Sequence, residues 1–141
     1  MKIVLDTNIF ISGIITPNNN VGKIIKEWKN NSLEVVTSSE LLEEIKKVLR
    51  YPKIIKRTCW SDQKIEEFTE YLYFFTTVVD ISDISYNFDK DPNDNHVIAT
   101  YIKGKCDHLI TGDKALLSLK SEFNIISLDS FVAEYYFQNE I

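Results

Sequence analysis

The sequence predicts a three-layer α/β/α domain, in which a mostly parallel sheet of about five strands lies between helices. Three observations favour this class. Short apolar runs alternate along the chain with segments of helical periodicity. Several of these runs lack alternating polar residues, as is expected when both faces of a parallel sheet are covered. The length of 141 residues suits one domain over residues 1–141, and no linker or repeat divides it.

Two apolar patterns define the first elements. Residues 2–5 form a short apolar run, which is typical of a buried strand. Residues 21–30 carry apolar side chains at helical spacing, so we predict a helix there. Residues 33–36 form the second apolar run and the second predicted strand.

Capping signals and residue types define the middle of the chain. A helix is predicted over residues 38–50, because Thr37 and Glu40 have the spacing of a capping box and a proline follows the segment. Residues 61–75 show helical periodicity and predict a further helix. The β-branched residues within 76–81 favour the third strand.

The last third of the chain again alternates helix and strand. An acidic residue followed by a proline predicts the start of a helix over residues 91–104. Residues 108–111 are the fourth predicted strand, and a short helix is expected from residue 112 onward. Residues 124–127 form the last strand and residues 129–137 the last helix.

The charge of the chain is unevenly distributed. The net charge is −5, so the protein is not held to nucleic acid by its overall field. Basic residues concentrate between positions 46 and 57, where no acid interrupts them. This stripe is either a solvated helix face or a contact surface for a phosphate backbone. Its candidate substrate contacts are Lys46, Lys47, Arg50 and Lys53.

The sequence favours a cytoplasmic protein without a membrane partner. No apolar segment reaches the about 18 residues of a membrane helix. Asp6 interrupts the place where a signal peptide would have its apolar core. Cys59 and Cys106 match no metal-binding spacing, so we expect them to be reduced thiols.

Four acidic residues stand where the pattern places them against the core. Asp6 and Asp113 come just past predicted strand ends, where the sites of parallel α/β folds gather. Glu44 borders the apolar face of its helix, and Asp94 falls within the apolar stripe of a later helix. Interaction with the helix N-terminus is the alternative explanation for Asp94. Asp91 is either the N-cap of that helix or an additional metal ligand.

A shared cation would explain such a cluster. Carboxylates in one place raise each other's pKa values unless a cation neutralises them. Oxygen ligands without a cysteine or histidine set favour Mg²⁺ or Mn²⁺, and acid-rich sites of this kind serve phosphodiester chemistry. His96 projects to the side of its helix opposite Asp94, and we expect surface or structural roles for His96 and His108.

Other enzyme classes lack their motifs in this sequence. There is no G-x-x-x-x-G-K or G-x-G-x-x-G loop for a nucleotide and no G-x-S-x-G elbow for a serine nucleophile. An aspartyl phosphatase would carry a second acid two residues after the first, where this chain has Asn8. These classes are therefore disfavoured.

Four segments, in order along the chain, carry a resemblance to a known family: IVLDTNIFISG at 3–13, SSELLEEIKKVL at 38–49, DPNDNHVIATYIKGKCDHLITGD at 91–113, and then KALL. With them the chain resembles PIN-domain ribonucleases, notably the VapC-like toxin branch of toxin–antitoxin systems. The resemblance implies a PIN-like fold and a metal-dependent endoribonuclease that hydrolyses single-stranded RNA with one or two Mg²⁺ or Mn²⁺ ions. It implies catalytic and metal-binding roles for Asp6, Glu44, Asp94 and Asp113, and supporting roles for Asn8 and Thr111.

The resemblance also implies partners. We expect RNA as the substrate, a small antitoxin protein as a partner, and a homodimer. Four tyrosines could contact the antitoxin or the second subunit, or could instead pack in the core: Tyr71, Tyr73, Tyr135 and Tyr136. Many relatives carry another acid where this chain has Ala115, which weakens the case for a second ion. Two alternatives stay open: a catalytically weak PIN-fold module that acts through a protein partner, and a housekeeping RNA-processing nuclease.

Overall fold

The computed structural model describes residues 1–16, 19–86 and 95–139, and the side chains at 19 and 136–139 lie outside this description. Its strands are β1 (Lys2–Leu5), β2 (Glu34–Ser38), β3 (Thr77–Val79), β4 (His108–Ile110) and β5 (Ile125–Ile126). Its helices are α1 (Thr7–Ile15), α2 (Asn19–Lys29), α3 (Ser39–Leu49), α4 (Pro52–Thr58), α5 (Asp62–Phe75), α6 (Asn95–Lys103), α7 (Lys114–Leu117) and α8 (Leu128–Asn139).

The five strands form one parallel sheet in the order β3-β2-β1-β4-β5. This confirms the predicted α/β class and the five-stranded parallel sheet. In the central strand, Leu5 is in register with Ile110 of β4, and Ile3 is in register with Val35 of β2. The carboxyl ends of β1 and β4 therefore stop side by side, and the residues that follow them meet at one edge of the sheet.

Both faces of the central strand are covered. Ile3 and Val4 are fully buried although successive side chains in a strand point to opposite faces. Helix α3 buries the apolar face that its periodicity predicts, and the core residues it supplies are Leu41, Leu42, Ile45 and Leu49. Helices thus pack on each side of the sheet, as expected for three layers.

Two helices of the structure are absent from the sequence prediction. Helix α1 starts directly after β1 with Asp6 as its N-cap, and Ile9, Phe10 and Ile11 are all buried, so a helical period is not visible in the apolar pattern. Helix α4 begins at Pro52 and has no buried residue. A proline that was expected only to end one helix therefore also begins the next.

The cap of α3 differs from the prediction by one residue. The hydroxyl of Ser38, not Thr37, accepts a hydrogen bond from the Leu41 backbone N–H at 3.3 Å. Thr37 instead lies in β2 and pairs with the hydroxyl of Thr76 at 2.7 Å. The buried Thr37–Thr76 bond links β2 to the start of β3.

Among the described residues, no helix is both long and apolar enough to cross a membrane. Within the same ranges both cysteines are free, with Cys59 exposed and Cys106 buried. Burial raises the pKa of the Cys106 thiol to about 12, so this thiol is protonated at neutral pH.

Candidate active site

Asp6 lies at the carboxyl end of β1 and is only 4% exposed. Its backbone N–H donates to the Ile110 carbonyl at 3.0 Å, which continues the β1–β4 pairing by one residue. One carboxylate oxygen, Oδ1, accepts from the Thr7 backbone N–H at 2.8 Å, and the other, Oδ2, accepts from the Thr111 hydroxyl at 2.7 Å. The side chain is therefore held in one orientation by the first residue of α1 and by the residue that follows β4.

Thr111 connects Asp6 to Asp113. Its fully buried side chain follows β4, and its Oγ1 accepts from the Asp113 backbone N–H at 3.0 Å while it donates to Asp6. Asp113 is half-buried and caps α7, because its Oδ1 accepts from the Ala115 backbone N–H at 2.7 Å. Asp113 Oδ1 thus caps α7, and Asp113 also belongs to the acidic cluster.

Glu44 joins the cluster from α3. Its Oε2 accepts from the Thr7 hydroxyl at 2.6 Å. Thr7 therefore contacts two acids, since its backbone N–H binds Asp6 and its hydroxyl binds Glu44. Of the two adjacent glutamates, Glu44 is half-buried and Glu43 is exposed, in agreement with the helical periodicity.

His96 is the residue that the sequence prediction missed. Its Nε2 lies 2.7 Å from Glu44 Oε2, and its side chain is 19% exposed. The sequence-based orientation of His96 is relative to Asp94 alone, which lies outside the described residues, and it did not anticipate this contact with Glu44. Periodicity orients a residue relative to its own helix, whereas this contact depends on how α6 packs against α3.

Electrostatics couples the acids. Burial raises the pKa of the Asp6 carboxyl, the hydrogen bonds from Thr111 and Thr7 oppose that rise, and the negative charges of Glu44 and Asp113 add to it. Burial alone would raise the pKa of Glu44 as well. The pKa of Glu44 is nevertheless below its ordinary value. The hydrogen bonds from His96 and Thr7 lower it, and the charges of His96 and Lys47 lower it further.

Two residues of the basic stripe, Lys46 and Arg50, form ion pairs with acids of α5. Lys46 pairs with Glu66 at 2.8 Å, and Arg50 pairs with Glu66 at 2.7 Å and with Asp62 at 3.1 Å. These two side chains therefore connect α3 to α5. Lys47 and Lys53 are exposed, and the charge of Lys47 lowers the pKa of Glu44 on the same helix.

Two predicted acids, Asp91 and Asp94, lie outside the described residues, as does the predicted start of their helix. Asn8 is exposed in the first turn of α1. Tyr71 and Tyr73 are exposed, and Tyr135 is buried in the core.

The donor chemistry of the described cluster fits a hard divalent cation. Asp6, Glu44 and Asp113 supply carboxylate oxygens, and no described lysine or arginine forms an ion pair with them. Within the described ranges, these side chains do not converge as a complete three-donor set. With further ligands the three residues could hold Mg²⁺ or Mn²⁺, since such ions prefer oxygen donors and retain water ligands.

Comparisons with known proteins agree with this architecture. The chain matches the PIN domain family over residues 2–115. MJ1680, an uncharacterized protein of Methanocaldococcus jannaschii, is 30% identical over 130 residues, which cover 92% of this chain and 82% of that protein. The crystal structure of VapBC2 from Rickettsia felis, bound to a DNA fragment from their promoter, matches with a TM-score of 0.64 at 13% identity and covers 90% of this chain and 98% of its own. The structural likeness shows a common fold, and the family match shows that this chain belongs to the PIN domain family.

Proposed function

We propose that this protein is a metal-dependent endoribonuclease that hydrolyses phosphodiester bonds in single-stranded RNA. The observation that carries the proposal is the hydrogen-bonded cluster of Asp6, Glu44 and Asp113 at the carboxyl edge of the sheet in a PIN domain. Burial and the charges of Glu44 and Asp113 raise the pKa of Asp6, and a shared cation would give this buried acid a reason to be there.

Each residue of the cluster has a distinct proposed task. Asp6, Glu44 and Asp113 hold the cation, and Asp94 is the fourth ligand by its place in the family's motif. Thr111 and Thr7 fix the orientation of the Asp6 carboxylate, because each donates to a different oxygen. A bound Mg²⁺ or Mn²⁺ would supply an acidified water and stabilise charge on the leaving 3′ oxygen.

We further propose that the exposed lysines of the basic stripe contact the RNA backbone. Lys47 and Lys53 are exposed, whereas Lys46 and Arg50 are held in ion pairs with α5. A phosphate would have to compete with those pairs for Lys46 and Arg50. Lys47 and Lys53 are therefore the preferred contacts.

A role as the toxin of a toxin–antitoxin pair is supported by the fold shared with VapBC2.

An apolar groove on the surface also supports a protein partner. Helices α1, α2 and α5 enclose an apolar groove of about 560 Å³ whose lining includes Ile25, Trp28, Tyr71 and Phe75. An antitoxin segment with apolar side chains would fit such a groove. A housekeeping nuclease would cleave RNA without this partner, and a non-catalytic module would bind the partner without cleaving RNA.

The test is cleavage of a labelled single-stranded RNA of mixed sequence, in Mn²⁺ and in EDTA. Wild type should cleave only with metal. Asp6→Asn should lower the rate by more than about 100-fold, since that is the upper end for residues that merely support a metal ligand. Asp107→Asn is the control, because Asp107 lies at the opposite end of β1, where its Oδ2 accepts from the Lys2 N–H. Equal cleavage by wild type and Asp6→Asn would disprove the site.

A further inference from the structure

Glu44 Oε2 is held from two sides. The Thr7 hydroxyl of α1 donates to it at 2.6 Å, and His96 Nε2 of α6 lies 2.7 Å away. The other carboxylate oxygen, Oε1, receives no hydrogen bond from the described residues. A glutamate side chain has several rotatable bonds, so two contacts on one oxygen restrict where the other oxygen lies.

His96 is not needed to attach α6 to the rest of the protein. One turn further along α6, the fully buried Thr100 makes a separate contact with Ser38, with 2.7 Å between the two hydroxyl oxygens. The Thr100 hydroxyl donates to the His96 carbonyl at 2.6 Å, so Ser38 is the donor in their shared bond. Thr100 therefore fixes α6 to the start of α3, whereas the His96 ring contacts the acid itself.

We propose that His96 is a positioning residue of the nuclease, which with Thr7 holds one oxygen of Glu44 and leaves the other free for the cation. This proposal rests on the proposed function, because it assigns Glu44 to the cation site. Helix α6 contacts α3 and its N-cap in two ways, through Thr100 and through His96. The contact through Thr100 stabilises the fold, and the contact through His96 orients a ligand.

The physical reason follows from the charges. Glu44 is half-buried, and its charge and that of Asp6 repel each other when no cation is bound. Without His96, Glu44 could rotate towards solvent at little cost, and part of the binding free energy of the cation would be needed to bring it back. Hydrogen-bond partners of metal ligands typically change metal affinity or activity by about 10- to 100-fold.

The test compares His96→Ala, His96→Gln and Thr100→Val in the full chain, with calorimetric titration of Mn²⁺ as the first measurement. His96→Ala should weaken Mn²⁺ binding by about 10- to 100-fold. His96→Gln should recover most of the affinity, because the glutamine amide can donate to Glu44 from a similar reach. Thr100→Val should lower the melting temperature and leave Mn²⁺ affinity unchanged.

The second measurement is RNA cleavage at limiting and at saturating Mn²⁺. His96→Ala should lower kcat mainly at limiting metal, with little change in KM for RNA. Wild-type Mn²⁺ affinity in His96→Ala, or an equal loss of affinity in Thr100→Val, would overturn the positioning role. Wild type that binds Mn²⁺ but cleaves no RNA would instead refute the proposed function, so the two failures are distinguishable.

Discussion

At the scale of the residue, Asp6 has two roles whose energetic effects oppose each other. As the N-cap of α1, it satisfies the Thr7 backbone N–H, which stabilises the start of the helix. As a buried carboxylate near Glu44 and Asp113, it carries a charge that burial and its neighbours disfavour. The cap alone does not require a carboxylate, because asparagine caps helices equally well. The cap therefore does not account for the charge, whereas the proposed cation would.

Asp6→Asn should stabilise the metal-free protein at neutral pH. The pKa of Asp6 is higher in the folded state than its ordinary value of 3.8, so the folded state binds the proton more tightly. Wild type therefore loses stability as pH rises from the ordinary pKa through the folded-state pKa, and the neutral amide avoids this loss. In EDTA, the urea midpoint of Asp6→Asn should exceed that of wild type at neutral pH, and the difference should shrink in acid.

Addition of Mn²⁺ should make wild type more stable than Asp6→Asn, the reverse of the order expected in EDTA. A cation that binds only the folded state adds stability to wild type by mass action, and the asparagine variant should gain much less. An Asp6→Asn variant that is less stable than wild type in EDTA at neutral pH would contradict the proposed cost of the buried charge.

At the scale of the element, the sequence predicts where a residue lies within its own helix or strand, but it does not predict the side-chain contacts between two helices. The sequence places Asp6 and Asp113 just past strand ends, and in the structure they follow β1 and β4, which end at one edge of the sheet. The partner of His96 was missed, since it depends on the packing of α6 against α3. Helix α1 was missed because its continuous burial hides the helical period, and α4 was missed because it buries nothing.

The groove between α1, α2 and α5 leads to a prediction about the proposed antitoxin. Ile25 lines the groove and is 39% exposed, whereas Ile55 on α4 lies outside the groove and is 37% exposed. Ile25→Gln should weaken binding of the proposed antitoxin by at least about tenfold, or 1.4 kcal/mol. Ile55→Gln should bind like wild type. Binding affinity can be measured by calorimetry, and unchanged affinity in Ile25→Gln would exclude the groove as the docking site.

At the scale of the whole molecule, the charge distribution fits local and not general attraction to RNA. A net charge of −5 repels a phosphate backbone, so the proposed RNA binding would depend on the proposed cation and on the exposed lysines of the basic stripe. The central sheet brings acids from β1, β4 and α3 to one edge, although they are far apart in sequence. We therefore expect these carboxylates to act together on RNA through a shared cation.

The most direct test of that claim is the rate of RNA cleavage by Glu44→Gln and Glu43→Gln in Mn²⁺. Both substitutions remove one charge from α3, and glutamine at position 44 can still accept from Thr7. Only Glu44 faces the acids, whereas Glu43 is exposed. Glu44→Gln should lose more than about 100-fold in rate, and Glu43→Gln should cleave like wild type. Equal rates for the two variants would contradict the account.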